Sequence, residues 1–174
     1  MAVYDLLETN HPSLSVPVTE VTDKQEGREQ IQQDLVDTMR AKSGVGLSAT
    51  QIGIGARVFS MYADVKKKDI IVCFNPKIVN QSEEEILMEE GCLSYPGLWL
   101  KVRRPEGIEV TYEDAKGELH EKAMFGLEAR IFQHEYDHME GTDFTKRVSK
   151  LKLDRAKKRL KKVQKKLDRP VLPR

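Results

Sequence analysis

The sequence predicts an α+β fold, with small antiparallel sheets around a central metal-binding helix and further helices at the N- and C-terminal ends. Three observations predict it. Alternating apolar segments are grouped in the middle of the chain. A helical stretch after them carries His134 and His138, four apart and so on one face. Helical periodicity recurs on both sides, at Ile31, Leu35 and Met39 and again at Leu153, Ala156, Leu160, Val163 and Leu167.

Each element has its own signal. Residues 23–42 read as the first helix. Thr22 or Asp23 would cap it, with Gln25 or Glu26 three residues on, Val36 widening its apolar stripe and Ser43-Gly44 ending it. Residues 57–63 and 70–74 read as strands joined by an exposed turn at 64–69. An acidic strand precedes Cys92, which falls in a tight loop bounded by Gly91 and Pro96-Gly97. Residues 107–112 place Ile108, Val110 and Tyr112 on alternate positions, and 118–122 form a weaker strand. Residues 123–140 form the metal-site helix, with Ile131 and Phe132 flanking its active face and Gly141 closing it. Residues 150–167 form the last helix, too charged around its circumference to be buried.

At 174 residues, 39% hydrophobic and 33% charged, the chain suits one domain with a real core. Residues 1–148 are expected to be its catalytic part, and 149–174 a basic helix and tail of the same domain. No apolar run approaches the ~18 residues of a membrane span, so no membrane partner is expected. The first residues, Met-Ala-Val-Tyr-Asp-Leu-Leu-Glu, lack the features of a secretory or transit segment. With only two cysteines, a cytoplasmic, reducing compartment is expected, a processed organellar protein being the second choice. From Lys146 onward the chain carries 14 Lys/Arg against 2 Asp, whereas the part before it carries 15 against 26 acidic residues. An acidic body with a basic tail points to a polyanionic partner.

The chemistry concentrates in His134-Glu135-Tyr136-Asp137-His138. Two imidazoles on one helical face can grip a divalent metal, with Glu135 beside the water such a metal activates. A catalytic site needs a third protein ligand and an open position. Phe144 stands where metzincins place their third histidine, and no glutamate follows Glu140 as thermolysin-like enzymes require. The third ligand therefore belongs upstream, where His11, His120, Cys73 and Cys92 are the candidates. Cys73 lies in an apolar strand and reads as a buried small hydrophobe. Cys92, in its loop, is a sensible soft ligand that leaves one coordination position free.

Three blocks now make the chain resemble the peptide deformylases, in order and spacing as well as composition. They are Gly44-Val45-Gly46-Leu47-Ser48-Ala49-Thr50-Gln51, Glu90-Gly91-Cys92-Leu93-Ser94 and Gln133-His134-Glu135-Tyr136-Asp137-His138. The likeness runs from about His11-Pro12 through Phe144. Ser48 departs from the usual alanine, and Trp99 lies near a position where some bacterial members carry arginine. Tyr95-Pro96-Gly97 and Arg103-Arg104-Pro105 look more like the subgroup that includes plant organelle enzymes.

The resemblance implies a monomeric metal-dependent hydrolase that removes the N-formyl group from the initiator methionine of nascent polypeptides. It implies Cys92, His134 and His138 as metal ligands, with Fe²⁺ natively and Zn²⁺, Ni²⁺ or Co²⁺ as alternatives. It assigns Glu135 the proton transfers, and gives the oxyanion to the Gln51 amide and the Leu93 backbone N–H. Gly44 and Gly46 would let the peptide approach closely in an extended pose. Val45 and Ile131 are candidates for the methionine pocket, and Arg130, Gln133 and Asp137 for orienting the ligands. The basic C-terminal helix would meet the ribosome, as in bacterial members.

Overall fold

The computed structural model describes residues 2–22 and 27–167. Its strands form two antiparallel sheets. In the larger, β1 (Gly46–Ser48), β2 (Val58–Asp64), β3 (Asp69–Gln81), β6 (Gly107–Glu113) and β7 (Leu119–Phe125) lie in the order β1-β2-β3-β6-β7. The smaller is a hairpin of β4 (Glu85–Cys92) and β5 (Tyr95–Pro105). Three α-helices complete the described fold: α1 (Arg28–Ala41), α2 (Gly126–Met139) and α3 (Lys150–Leu167). None of them is long and apolar enough to cross a membrane.

Strand alternation explains the layering. On one face of the larger sheet, Val58, Val72 and Phe74 pack with Leu35 and Met39 of α1. On the other, Phe59, Met61, Cys73, Ile108 and Val110 pack with Ala129, Ile131, Phe132 and Met139 of α2. Covered on both faces, β2 is buried over four consecutive residues from Val58. Phe59 meets Phe132 edge to face, with centroids 5.0 Å apart. The hairpin lies against the remaining face of α2. Its buried side, at Leu98, Leu100 and Val102, joins Phe144 and takes Leu153, Ala156 and Leu160 of α3.

Four expectations need correction. The first helix begins at Arg28 rather than at 23, because Gly27 before it is left-handed (φ 94°). Thr22 lies outside that helix; Asp23, Gln25 and Glu26 as a cap lie outside the described residues. Arg28 anchors the start from within, buried and 2.7 Å from Glu113. Residues 123–125 belong to β7, not to the site helix, because the β6–β7 ladder continues to the Gly107–Phe125 pair. Residues 75–81 and 95–105, not read as strands, extend β3 and form β5. Cys92 closes β4 rather than sitting in a loop; it pairs with Tyr95 across a turn made by Leu93 and Ser94. The last helix has the predicted bounds, and its stripe is buried only in part: Val163 is half exposed.

Phe132 fixes the distance between α2 and the sheet. Phe132→Ala should cost about 3–5 kcal/mol of stability, as for other large core aromatics. Urea unfolding of the full chain checks this; a loss below about 1 kcal/mol, far under that range, would mean that the helix is not held by its sheet-facing side.

Candidate active site

Two elements build the site. On α2 the helical repeat brings His134 and His138 together, with ring centroids 5.3 Å apart. The end of β4 brings Cys92, whose Sγ is 3.3 Å from His138 Nε2. One ligand atom from each of the three lies within 4.8 Å of the others. A soft thiolate with two imidazoles, gathered at such distances, fits a divalent transition metal with a position left for solvent. Burial alone would raise the Cys92 thiol, but hydrogen bonds with His134 and His138 bring it down to about 5, so the sulfur stands ready as a thiolate.

A carboxylate behind the trio sets its orientation. Glu90, 5% exposed, holds His134 Nδ1 at 2.9 Å, which turns Nε2 toward the sulfur. Burial would raise the Glu90 carboxyl, but His134 and Arg104 hold it far below the usual carboxylate range. Arg104 grips both Glu90 oxygens, Nε at 2.7 Å and Nη2 at 3.0 Å, and reaches Asp137 of α2 with Nη1 at 2.8 Å. Arg130 Nη1 donates to Glu90 from α2 itself, and Arg147 donates to Asp137 from the chain before α3. The hairpin, the site helix and the C-terminal segment are therefore tied by one ionic network.

Glu135 lies beside the trio and is 4% exposed. Its Oε2 has no hydrogen-bond partner among the described residues. Burial lifts its carboxyl, against the pull of His134 and His138, to about 7. The carboxylate rests on the backbone of Gly46, where any Cβ would collide with it. Gln51 is doubly engaged. Its Oε1 accepts the Ser48 N–H at 2.9 Å, which forces the amide toward Cys92 Sγ at 3.4 Å and Ser94 Oγ at 3.0 Å.

A cavity of about 680 Å³ opens over these groups. Gly44, Val45, Gly46, Gln51, Leu93 and Ile131 all line it, together with Cys92, His134 and Glu135. The expected ligands Cys92, His134 and His138 thus lie together, with Gly44, Val45, Gly46, Gln51, Leu93, Ile131 and Glu135 around them. The other ligand candidates lie elsewhere. His11 binds Ser13 on the surface, His120 stacks on Tyr112 and pairs with Asp114, and Cys73 is buried in the core. Of the residues expected to orient ligands, Arg130 and Asp137 join the network, whereas Gln133 bonds the Pro105 and Ala129 carbonyls.

Sequence reasoning missed Glu90 and Arg104 as a pair. The signal was present. In β5 the buried positions are Leu98, Leu100, Val102 and then Arg104, so a cation occupies a core phase. Such a charge needs a buried partner, and Glu90 is the inward acid of the facing strand.

Comparison with known proteins now bears on the arrangement. Residues 3–154 match the family model described as polypeptide deformylase. A peptide deformylase of Novosphingobium aromaticivorans is 34% identical, over 95% of this chain and 99% of that protein. Peptide deformylase 1B, chloroplastic/mitochondrial, of Arabidopsis thaliana is 38% identical over 77% of this chain and 50% of its own length. A crystal structure of a peptide deformylase from Legionella pneumophila superposes with a TM-score of 0.85 at 35% identity, covering 97% of this chain and 100% of that one.

Glu90→Gln keeps the side-chain volume and removes the charge that holds His134. Affinity of the trio for Zn²⁺ should fall about 10- to 100-fold, as for other partners of metal-ligating histidines. Competition with a chromophoric chelator measures it, and an unchanged constant would show that the Nδ1 contact does not tune the site.

Proposed function

The chain belongs to the peptide deformylase family, and from that premise we propose that Cys92, His134 and His138 hold its metal while Glu135 moves the proton. The family's enzymes are metal-dependent hydrolases that remove the N-formyl group from the initiator methionine of nascent polypeptides. The observation that carries the assignment is the convergence of one sulfur and two imidazoles beside the buried Oε2 of Glu135, which has no hydrogen-bond partner among the described residues. The ion, once bound, would polarise the formyl carbonyl and acidify a solvent molecule.

The chain's own groups supply the rest. The Glu135 carboxyl, near 7, is suited to take a proton from the attacking water and return it to the leaving amine. The Gln51 amide, fixed at its other end by Ser48, serves the developing oxyanion with the Leu93 backbone N–H. β1 is an edge strand, so a peptide can lie extended along Gly44, Val45 and Gly46. Ile131 and Val45 then bound the pocket for the methionine side chain.

Fe²⁺ is the proposed native metal, with Zn²⁺, Ni²⁺ or Co²⁺ as substitutes for the same donors. The protein is assigned to the cytoplasm as a monomer, with a processed organellar location second. Residues 149–174 act as a basic tail of the catalytic domain. Within it the exposed lysines of α3, among them Lys157, Lys158, Lys161 and Lys162, suit ribosomal RNA phosphate.

Glu135→Ala should retain the metal and lose about 10²- to 10⁴-fold in formate release from formyl-Met-Ala-Ser. Full turnover by that variant would remove Glu135 from the chemistry. Replacing Lys157, Lys158, Lys161 and Lys162 together by Glu should abolish ribosome co-sedimentation at low salt and spare turnover of the short peptide. Undiminished pelleting would remove α3 as the docking face.

A further inference from the structure

The turn that carries Leu93 is pinned on both sides. Leu93 and Ser94 join Cys92, the last residue of β4, to Tyr95, the first of β5, and those two residues pair across the turn. On one side Ser94 Oγ accepts the Gln51 amide at 3.0 Å. On the other the Tyr95 hydroxyl donates to Asp143 Oδ2 at 2.8 Å, a contact between residues 48 apart in the chain.

The second anchor is rigid. Asp143 caps the short helical turn Phe144–Arg147, and its Oδ1 accepts the Thr145 N–H at 2.7 Å, which leaves Oδ2 for the tyrosine. The Tyr95 ring meets the buried Phe144 edge to face, with centroids 5.6 Å apart. Pro96 holds the residue before it in extended backbone. Burial and the Asp143 carboxylate push the Tyr95 phenol above its ordinary range, so the hydroxyl stays protonated and donates.

We propose that Tyr95 is a positioning residue whose bond to Asp143 aims the Leu93 N–H at the oxyanion formed during deformylation. The inference rests on the proposed oxyanion role of Leu93 and extends it. A peptide group is planar, so the direction of the Leu93 N–H follows the path of the chain from Cys92 into the turn. An oxyanion donor acts only within about 2.7–3.1 Å of the developing charge, so a turn free to drift would lose it. Tyr95 borders the cavity but commits its hydroxyl to Asp143, and therefore acts through the turn.

The test measures kcat per bound metal, KM for formyl-Met-Ala-Ser and affinity for Zn²⁺ in Tyr95→Phe, Asp143→Ala and the double variant. Tyr95→Phe keeps the ring on Phe144 and removes only the bond. Its kcat should fall about 10- to 100-fold, short of the outright loss of a donor, with KM within about twofold and Zn²⁺ affinity within about threefold of the intact protein. Adding Tyr95→Phe to Asp143→Ala should change kcat by less than about twofold, because the two residues act as one unit. An unchanged kcat in Tyr95→Phe, or a full further loss in the double variant, would overturn the proposal while deformylation stands. Weaker Zn²⁺ binding by Tyr95→Phe would overturn it too, since the bond would then hold Cys92 rather than aim the Leu93 N–H. No formate from the intact enzyme would overturn the deformylation reading itself, and this inference with it.

Discussion

The grip of Glu90 on His134, and of Arg104 on Glu90, is the interaction on which the site's geometry depends. An imidazole on a helix can rotate about its side-chain bonds; a buried carboxylate on Nδ1 removes that freedom and chooses the tautomer. A lone carboxylate at 5% exposure would tend to neutralise instead. Arg104 prevents this by binding both oxygens. Buried ion pairs are a poor source of net stability, because desolvation offsets the attraction. What this one secures is orientation: the cation comes from the hairpin and the imidazole from the helix, so the pair sets one element against the other.

That requirement explains the unusual demands on α2. Its 14 residues serve two layers at once. Ala129, Phe132 and Met139 meet the larger sheet, while Arg130 and Asp137 meet the hairpin and its network. His134, Glu135 and His138 line the seam between the layers. A helix buried nearly all round cannot show a clean amphipathic stripe. The apolar side of α2 supplies burial energy, and its charged side, Arg130 and Asp137, holds the Glu90–Arg104 pair that fixes His134. Glu135 is the exception within this arrangement: its Oε2 is left without a partner among the described residues, and the backbone of Gly46 comes close enough to exclude a side chain. A carboxylate placed this way suits the proposed role of general base, because one oxygen is left for substrate chemistry.

The cluster of Cys92, His134 and His138, proposed to hold the metal, was legible in the sequence because its chemistry is local. Two histidines at helical spacing announce themselves, and the elimination of downstream ligands pointed back to Cys92. Gln51 was open to two readings, loop cap or oxyanion donor; its carbonyl end caps the turn and its amide end faces the sulfur, so the structure accommodates both. The network behind the trio was not legible, because it joins residues far apart in the chain and only the register of β4 on β5 sets Glu90 near Arg104. β5 itself was hidden by Pro96 and Gly97, which read as the bounds of a tight loop, and by Arg104 in a core phase. The start of α1 was missed because the left-handed Gly27 stands directly before Arg28, a backbone state that side-chain periodicity does not announce.

The C-terminal helix shows how one segment serves the fold on one side and the solvent on the other. Leu153, Ala156 and Leu160 cover Leu98, Leu100 and Val102 on the buried face of β5, the face that also carries Arg104. Just before the helix, Arg147 binds Asp137 and Asp143 accepts the Tyr95 hydroxyl at 2.8 Å, so two further contacts lead from the tail to the site's walls. Removing the tail would uncover Leu98 and Leu100 and loosen the hairpin. Loss of activity after truncation would therefore say nothing about an external partner. Only changes confined to the outward lysines separate the two roles, because those side chains lie off the stripe that α3 buries against β5.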